Sequence, residues 1–122
     1  MEFTISMGFE DNAAVINCGG SLLVEFKEKL LEEVDKAFSL GVSYIAIGLK
    51  DVTFLDSSGI SALIAAKKRA AVKQGDVRLF ELSPAVDEVG HWVGLREKFQ
   101  VFNTKKSCLD SYQDTDLSFM MG

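Results

Sequence analysis

The chain has 122 residues, of which 48% are hydrophobic and 25% charged, and a formal net charge of −5. That length suits one domain with a buried core and is too short to divide comfortably. The acidic balance, with no basic block beyond Lys67-Lys68-Arg69 and Lys105-Lys106, argues against a nucleic-acid-binding face. No apolar run approaches the roughly 20 residues needed to span a bilayer. Met1-Glu2-Phe3-Thr4 lacks the basic and apolar regions of a secretion signal, so a cytoplasmic protein without membrane insertion is expected.

Phe3, Ile5, Met7 and Phe9 alternate with mostly polar or small residues, the period of a strand with one buried face. Asp11-Asn12 is a turn signal, and Ala14 to Cys18 returns as the second strand of a hairpin. Gly19-Gly20 is expected to break that strand and Ser21 to cap a helix. Leu23, Phe26, Leu30, Val34, Ala37 and Phe38 then recur at steps of three and four, with charges mostly on the opposite side, and Gly41 is placed to end the helix.

Tyr44 to Leu49 is a continuous apolar run, read as a central strand buried on both faces. The stretch Asp51 to Ile60 joins it to an Ala-rich helical pattern that runs to about Gln74, with Ile60, Leu63, Ile64 and Ala71 facing inward and Gly75 closing the helix. Val77 to Leu82 is the next strand, completing a right-handed βαβ unit. Ser83-Pro84 opens a third helix, Ser as cap and Pro at the first helical position. Phe99, Val101 and Phe102 form a last short strand, and Thr104 caps a final helix through Tyr112. Residues 113–122 show no periodicity and read as a loose tail, whose apolar Leu117, Phe119, Met120 and Met121 would dock on the domain or on a partner.

The order β-β-α-β-α-β-α-β-α implies one α/β domain over residues 1–112. It would hold a small mixed sheet with about four helices packed mainly on one face.

The chemistry concentrates at Asp56-Ser57-Ser58-Gly59, where a strand ends and a helix begins. Free backbone N–H groups and the positive end of a helix dipole favour a phosphate there. The crevice at the carboxyl ends of strands in an open α/β sheet is a common functional position. A plain helix cap accounts for the same residue types. Catalysis by a serine nucleophile is disfavoured: His91 is the only histidine, and the serines are not framed as G-x-S-x-G. Cys18 and Cys108 lie far apart without a CxxC pair, so no metal centre or other cofactor is expected and both read as reduced thiols in or near the core. A nucleotide-binding module is suggested only by the helix N-terminus.

Val52-Thr-Phe-Leu-Asp-Ser-Ser-Gly-Ile60 closely resembles the signature of the STAS domain of bacterial anti-sigma factor antagonists. Leu82-Ser83-Pro84-Ala85-Val86 and Gly94-Leu95 followed by Phe99 to Phe102 keep the family's order, so the resemblance spans about residues 3–112. It implies a non-enzymatic phosphoprotein of partner-switching transcription regulation. Ser57 would be the phosphoacceptor, positioned by Asp56, with Ser58 and Gly59 shaping the switch loop. The implied partners are an anti-sigma factor that is also a serine kinase, and a PP2C-type phosphatase. The unphosphorylated form would bind the anti-sigma factor and free a sigma factor. Phe54, Leu55, Ile60 and the basic trio led by Lys67 are the candidate partner contacts. The alternative is a STAS scaffold in a stressosome-like or lipid-transport complex, with Ser57 structural. One departure stands out: many members carry Gly-Glu-Leu-Asp before the first helix, where this chain has Gly20-Ser21-Leu22-Leu23.

Overall fold

Asp11 and Asn12 adopt left-handed φ values of 51° and 70°, the geometry of a two-residue hairpin turn whose twist matches the flanking strands. They join β1 (Phe3–Glu10) to an antiparallel β2 (Ala13–Leu22). The computed structural model describes residues 2–121, with the backbone alone described over 114–121. The remaining elements are α1 (Val24–Ser39), β3 (Tyr44–Leu55), α2 (Ser57–Val72), β4 (Asp76–Phe80), α3 (Pro84–Val93), α4 (Leu95–Lys98), β5 (Val101–Phe102) and α5 (Lys105–Met121). The sheet order is β1-β2-β3-β4-β5, parallel from β2 onward.

Alternate residues of the central strands serve two cores. Ala14, Ile16, Ile45, Ile47, Val77 and Leu79 face a large core shared with Phe26, Leu30 and Val34 of α1, Leu63 and Ala66 of α2, and Val86 of α3. Ala13, Val15, Ala46 and Phe80 face the other way, onto Cys108, Leu109 and Tyr112 of α5. Each fully buried Leu or Ile contributes about 1.5–3 kcal/mol. The helices therefore pack mainly on one face, with α5 alone covering the second. Cys18 and Cys108 lie buried and unpaired. Burial pushes both thiols up, to about 12.

Several sequence-based expectations are corrected. Gly19-Gly20 does not break β2: the strand continues to Leu22 through register shifts at Asn17/Gly19 and Gly20/Ser21, at each of which the facing β3 carries one extra residue and is bent locally. Gly20 has φ 77°, and a Cβ there would lie 2.3 Å from the Glu2 carbonyl oxygen, so only glycine fits. Ser21 is thus buried in the strand, and the residue capping α1 is Leu23, which has no side-chain cap. The strand before the central motif likewise runs on to Leu55, because residues 51–55 pair with the extended end of β2. Gly41 does follow α1 with φ 81°, whereas after α2 the left-handed residue is Gln74, φ 62°. On α2 the inward residue is Ala70 and not Ala71, which is exposed. A fifth helix, the single-turn α4, was not expected. α5 continues to Met121 past Tyr112. The docking expected of Leu117, Phe119, Met120 and Met121 concerns side chains outside the described residues. Among the described residues, no helix is long and apolar enough to cross a membrane.

Candidate functional site

β2 and β3 end side by side, Leu22 paired with Leu55, and α1 and α2 start within two residues of those ends. Asp56 therefore falls at the carboxyl edge of the sheet as the N-cap of α2. Its backbone is extended, and its Oδ1 accepts from the Ser58 N–H at 2.9 Å and the Gly59 N–H at 3.4 Å. The Asp56 carbonyl accepts from the Ile60 N–H at 3.2 Å. Ser57 follows as the first residue of the helix and is exposed; its hydroxyl makes no hydrogen bond among the described residues.

The floor of the loop is packed closely. Gly59 is buried, and a Cβ on it would sit 2.6 Å from the Leu22 carbonyl oxygen, with the Leu22 and Leu55 side chains at 3.1 and 3.2 Å. Helix α2 can start this close to β2 only with glycine at that position. Leu55 is 3% exposed and Ile60 6%. They anchor the loop from below, so the expectation that both contact a partner is corrected: neither offers surface in this conformation. Phe54 does, being 48% exposed one residue along a strand whose side chains alternate. Val24, at the start of α1, is 65% exposed.

Lys67 is not brought to the switch. It lies ten residues along α2 from Ser57, about 15 Å at 1.5 Å per residue, and is committed to an ion pair with Asp76 and to the face of Phe99. Desolvation of the partly buried Asp76 carboxyl is outweighed by its bonds to Lys67 and Arg78, which hold it below the usual carboxylate range. His91 sits on α3 beside a cavity of about 210 Å³ lined also by Asp87, Arg96 and Glu97, and by no residue of 51–60. No serine of the loop shares that cavity with the histidine.

The free N–H groups expected to greet a phosphate are largely taken: Asp56 already binds those of Ser58 and Gly59. One residue absent from the sequence-based reading does approach this helix. Lys27 of α1 donates to the Ser61 hydroxyl at 3.2 Å, one turn beyond Ser57. Nothing in the sequence pairs these positions, 34 residues apart, because the contact depends on how α1 lies against α2.

Comparison with known proteins places this geometry. The model of the STAS domain matches residues 4–108. Similar solved structures include an anti-sigma factor antagonist from Mycobacterium paratuberculosis (21% identity, TM-score 0.78, covering 90% of this chain and 93% of that one). A STAS-domain protein from Planctomyces limnophilus is also similar (26% identity, TM-score 0.62, covering 88% and 96%). The Bacillus anti-sigma factor antagonist SpoIIAA matches in its unphosphorylated form (20% identity, TM-score 0.68, covering 92% and 98%) and in its phosphorylated form (20%, 0.69, covering 89% and 99%). With the family's match extending over nearly the whole folded region and the Asp-Ser-Ser-Gly loop at the start of α2, the chain belongs to the STAS domain family.

Proposed function

We propose that the protein is an anti-sigma factor antagonist switched by phosphorylation of Ser57. The unphosphorylated form binds an anti-sigma factor that is also a serine kinase and so releases a sigma factor. The kinase transfers the γ-phosphoryl group of its ATP to the Ser57 oxygen, leaving ADP and a proton, and binding ends. A PP2C-type phosphatase hydrolyses the ester and restores the free hydroxyl. The protein itself needs no catalytic group for this cycle and acts in the cytoplasm.

The observation that carries the reading is the placement of Ser57: an exposed hydroxyl, without a hydrogen bond among the described residues, at the start of α2, with its loop held by the Asp56 cap and the close Gly59 packing. Such a hydroxyl can enter a kinase site without unfolding. A phosphate adds about −1.5 to −2 charges at pH 7, beside the Asp56 carboxylate and in an acidic protein. An interface of about 1,200–2,000 Å² over this loop would have to desolvate that charge. A loss of about 3 kcal/mol weakens binding more than a hundredfold.

A second reading draws on the exposed Val24 and Phe54 and on the half-buried Leu23, which stands where many family members carry an acid. This apolar rim suits a constitutive contact in a scaffold, such as a stressosome-like or lipid-transport complex, with Ser57 only a helix start. Retrieval of partners from the native host with Ser57→Ala and Ser57→Asp separates the two. An ATP-binding anti-sigma protein retained by the Ala variant and lost by the Asp variant supports the switch. Identical partner sets for both variants overturn it in favour of the scaffold.

A further inference from the structure

We infer that Lys27 is the counter-cation of the phosphorylated switch, closing a salt bridge from α1 to phosphorylated Ser57 on α2. The inference rests on the phosphoswitch reading of Ser57 and deepens it, by assigning a residue that holds the modified state.

Four observations converge. Ser57 and Ser61 stand four residues apart on α2 and so share one helical face, with Cβ atoms about 5–6 Å apart. Lys27, half-buried on α1, already presents its Nζ on this face, 3.2 Å from the Ser61 hydroxyl. Side chains on a helix lean toward its N-terminus, so the Ser61 hydroxyl carries the ammonium toward the turn that holds Ser57. Finally, the Ser58 and Gly59 N–H groups, which a phosphate at a helix start would ordinarily recruit, are occupied by Asp56. The new dianion therefore needs another donor, and a phosphate projects well beyond the hydroxyl it replaces.

The other cations on the two helices are engaged elsewhere or lie far along α2. Lys29 pairs with Glu32 and Glu33, Lys36 with Glu33, Arg69 with Asp35 and Lys67 with Asp76. Among the described residues, Lys27 bonds only a neutral hydroxyl. Exchange of that weak bond for a charge-assisted one costs little and fastens the two helix starts together. A carboxylate at position 57 is shorter and carries a single charge. Ser57→Asp can therefore mimic the repulsion of a partner without the bridge.

The test uses the full chain with phosphoserine installed at position 57 during translation, so it needs neither kinase nor partner. The second ionisation of the phosphate is followed by ³¹P NMR. Asp56 beside it, and Glu25 and Glu28 on the first turns of α1, are the same in every sample. A paired ammonium favours the dianion, so Lys27→Gln raises the titration midpoint by about half a unit. Lys29→Gln, which removes the same charge from the same helix, shifts it much less. Equal shifts in both variants, or none in either, overturn the bridge. The outcomes separate from those of the switch: a Lys27-specific shift with no partner loss on phosphorylation leaves the bridge and removes the switch, and the reverse result leaves the switch alone.

Discussion

Asp56 Oδ1 holds the Ser58 N–H at 2.9 Å, which makes the residue before the candidate phosphoacceptor the structural start of α2. Asp56→Ala removes that cap and is expected to cost about 1 kcal/mol, whereas Asp56→Asn keeps an acceptor oxygen and costs little. Urea unfolding of the two variants measures the difference. The Ala variant also frees the Ser58 and Gly59 N–H groups, so phosphate on Ser57 should ionise more readily in it.

Gly59→Ala should destabilise by about 1–3 kcal/mol, the usual cost of overpacking, although alanine favours helix by about 1 kcal/mol over glycine. The added methyl would meet the Leu22 carbonyl oxygen at 2.6 Å, and backbone on one side of the clash leaves little room to yield. Gly8→Ala, with nothing within 4 Å of the new carbon, serves as the comparison. Similar unfolding midpoints for the two variants would rule out the tight joint between β2 and α2.

Phe54 and Leu55 are neighbours with opposite duties. Phe54→Ala should leave stability nearly unchanged and weaken partner capture, because the ring is half exposed. Leu55→Ala, at a buried site, should cost about 2–5 kcal/mol. Thermal unfolding paired with a binding measurement on each variant checks both halves.

The Tyr112 hydroxyl proton is shared between two backbone carbonyls, Ile45 at 2.7 Å and Asp76 at 3.0 Å, and its ring stacks on Tyr44 and under Arg78. Tyr112→Phe should cost about 1–3 kcal/mol by leaving buried carbonyls without that donor. Tyr112→Ala should cost more and loosen α5, which hydrogen exchange of α5 amides would register.

Asp76 gives the fold an acid-side pH dependence. Its folded pKa is depressed, so its contribution is present above the unfolded carboxylate value of about 3.9 and is lost as pH falls through the folded value. Asp76→Asn should therefore lower stability at pH 7 and narrow toward wild type at low pH. Denaturation midpoints taken across the acid range test the sign.

What the sequence by itself determined was local. The hairpin turn at Asp11-Asn12, the caps at Ser83 and Thr104, the inward stripe of α1 and the strand-to-helix joint at Asp56-Ser57 each depend on residues within a few positions of one another. Periodicity and capping chemistry act over that range, and the family signature reads the same residues. The tertiary structure decided whatever depends on distant chain. β2 and β3 lengthen because each supplies hydrogen bonds the other lacks, and that buries Ser21 and Leu55. α5 finds the second face of the sheet because Ala13, Val15, Ala46 and Phe80 leave it apolar. Lys27 reaches Ser61 only through the packing of α1 on α2, a contact no spacing in the chain encodes.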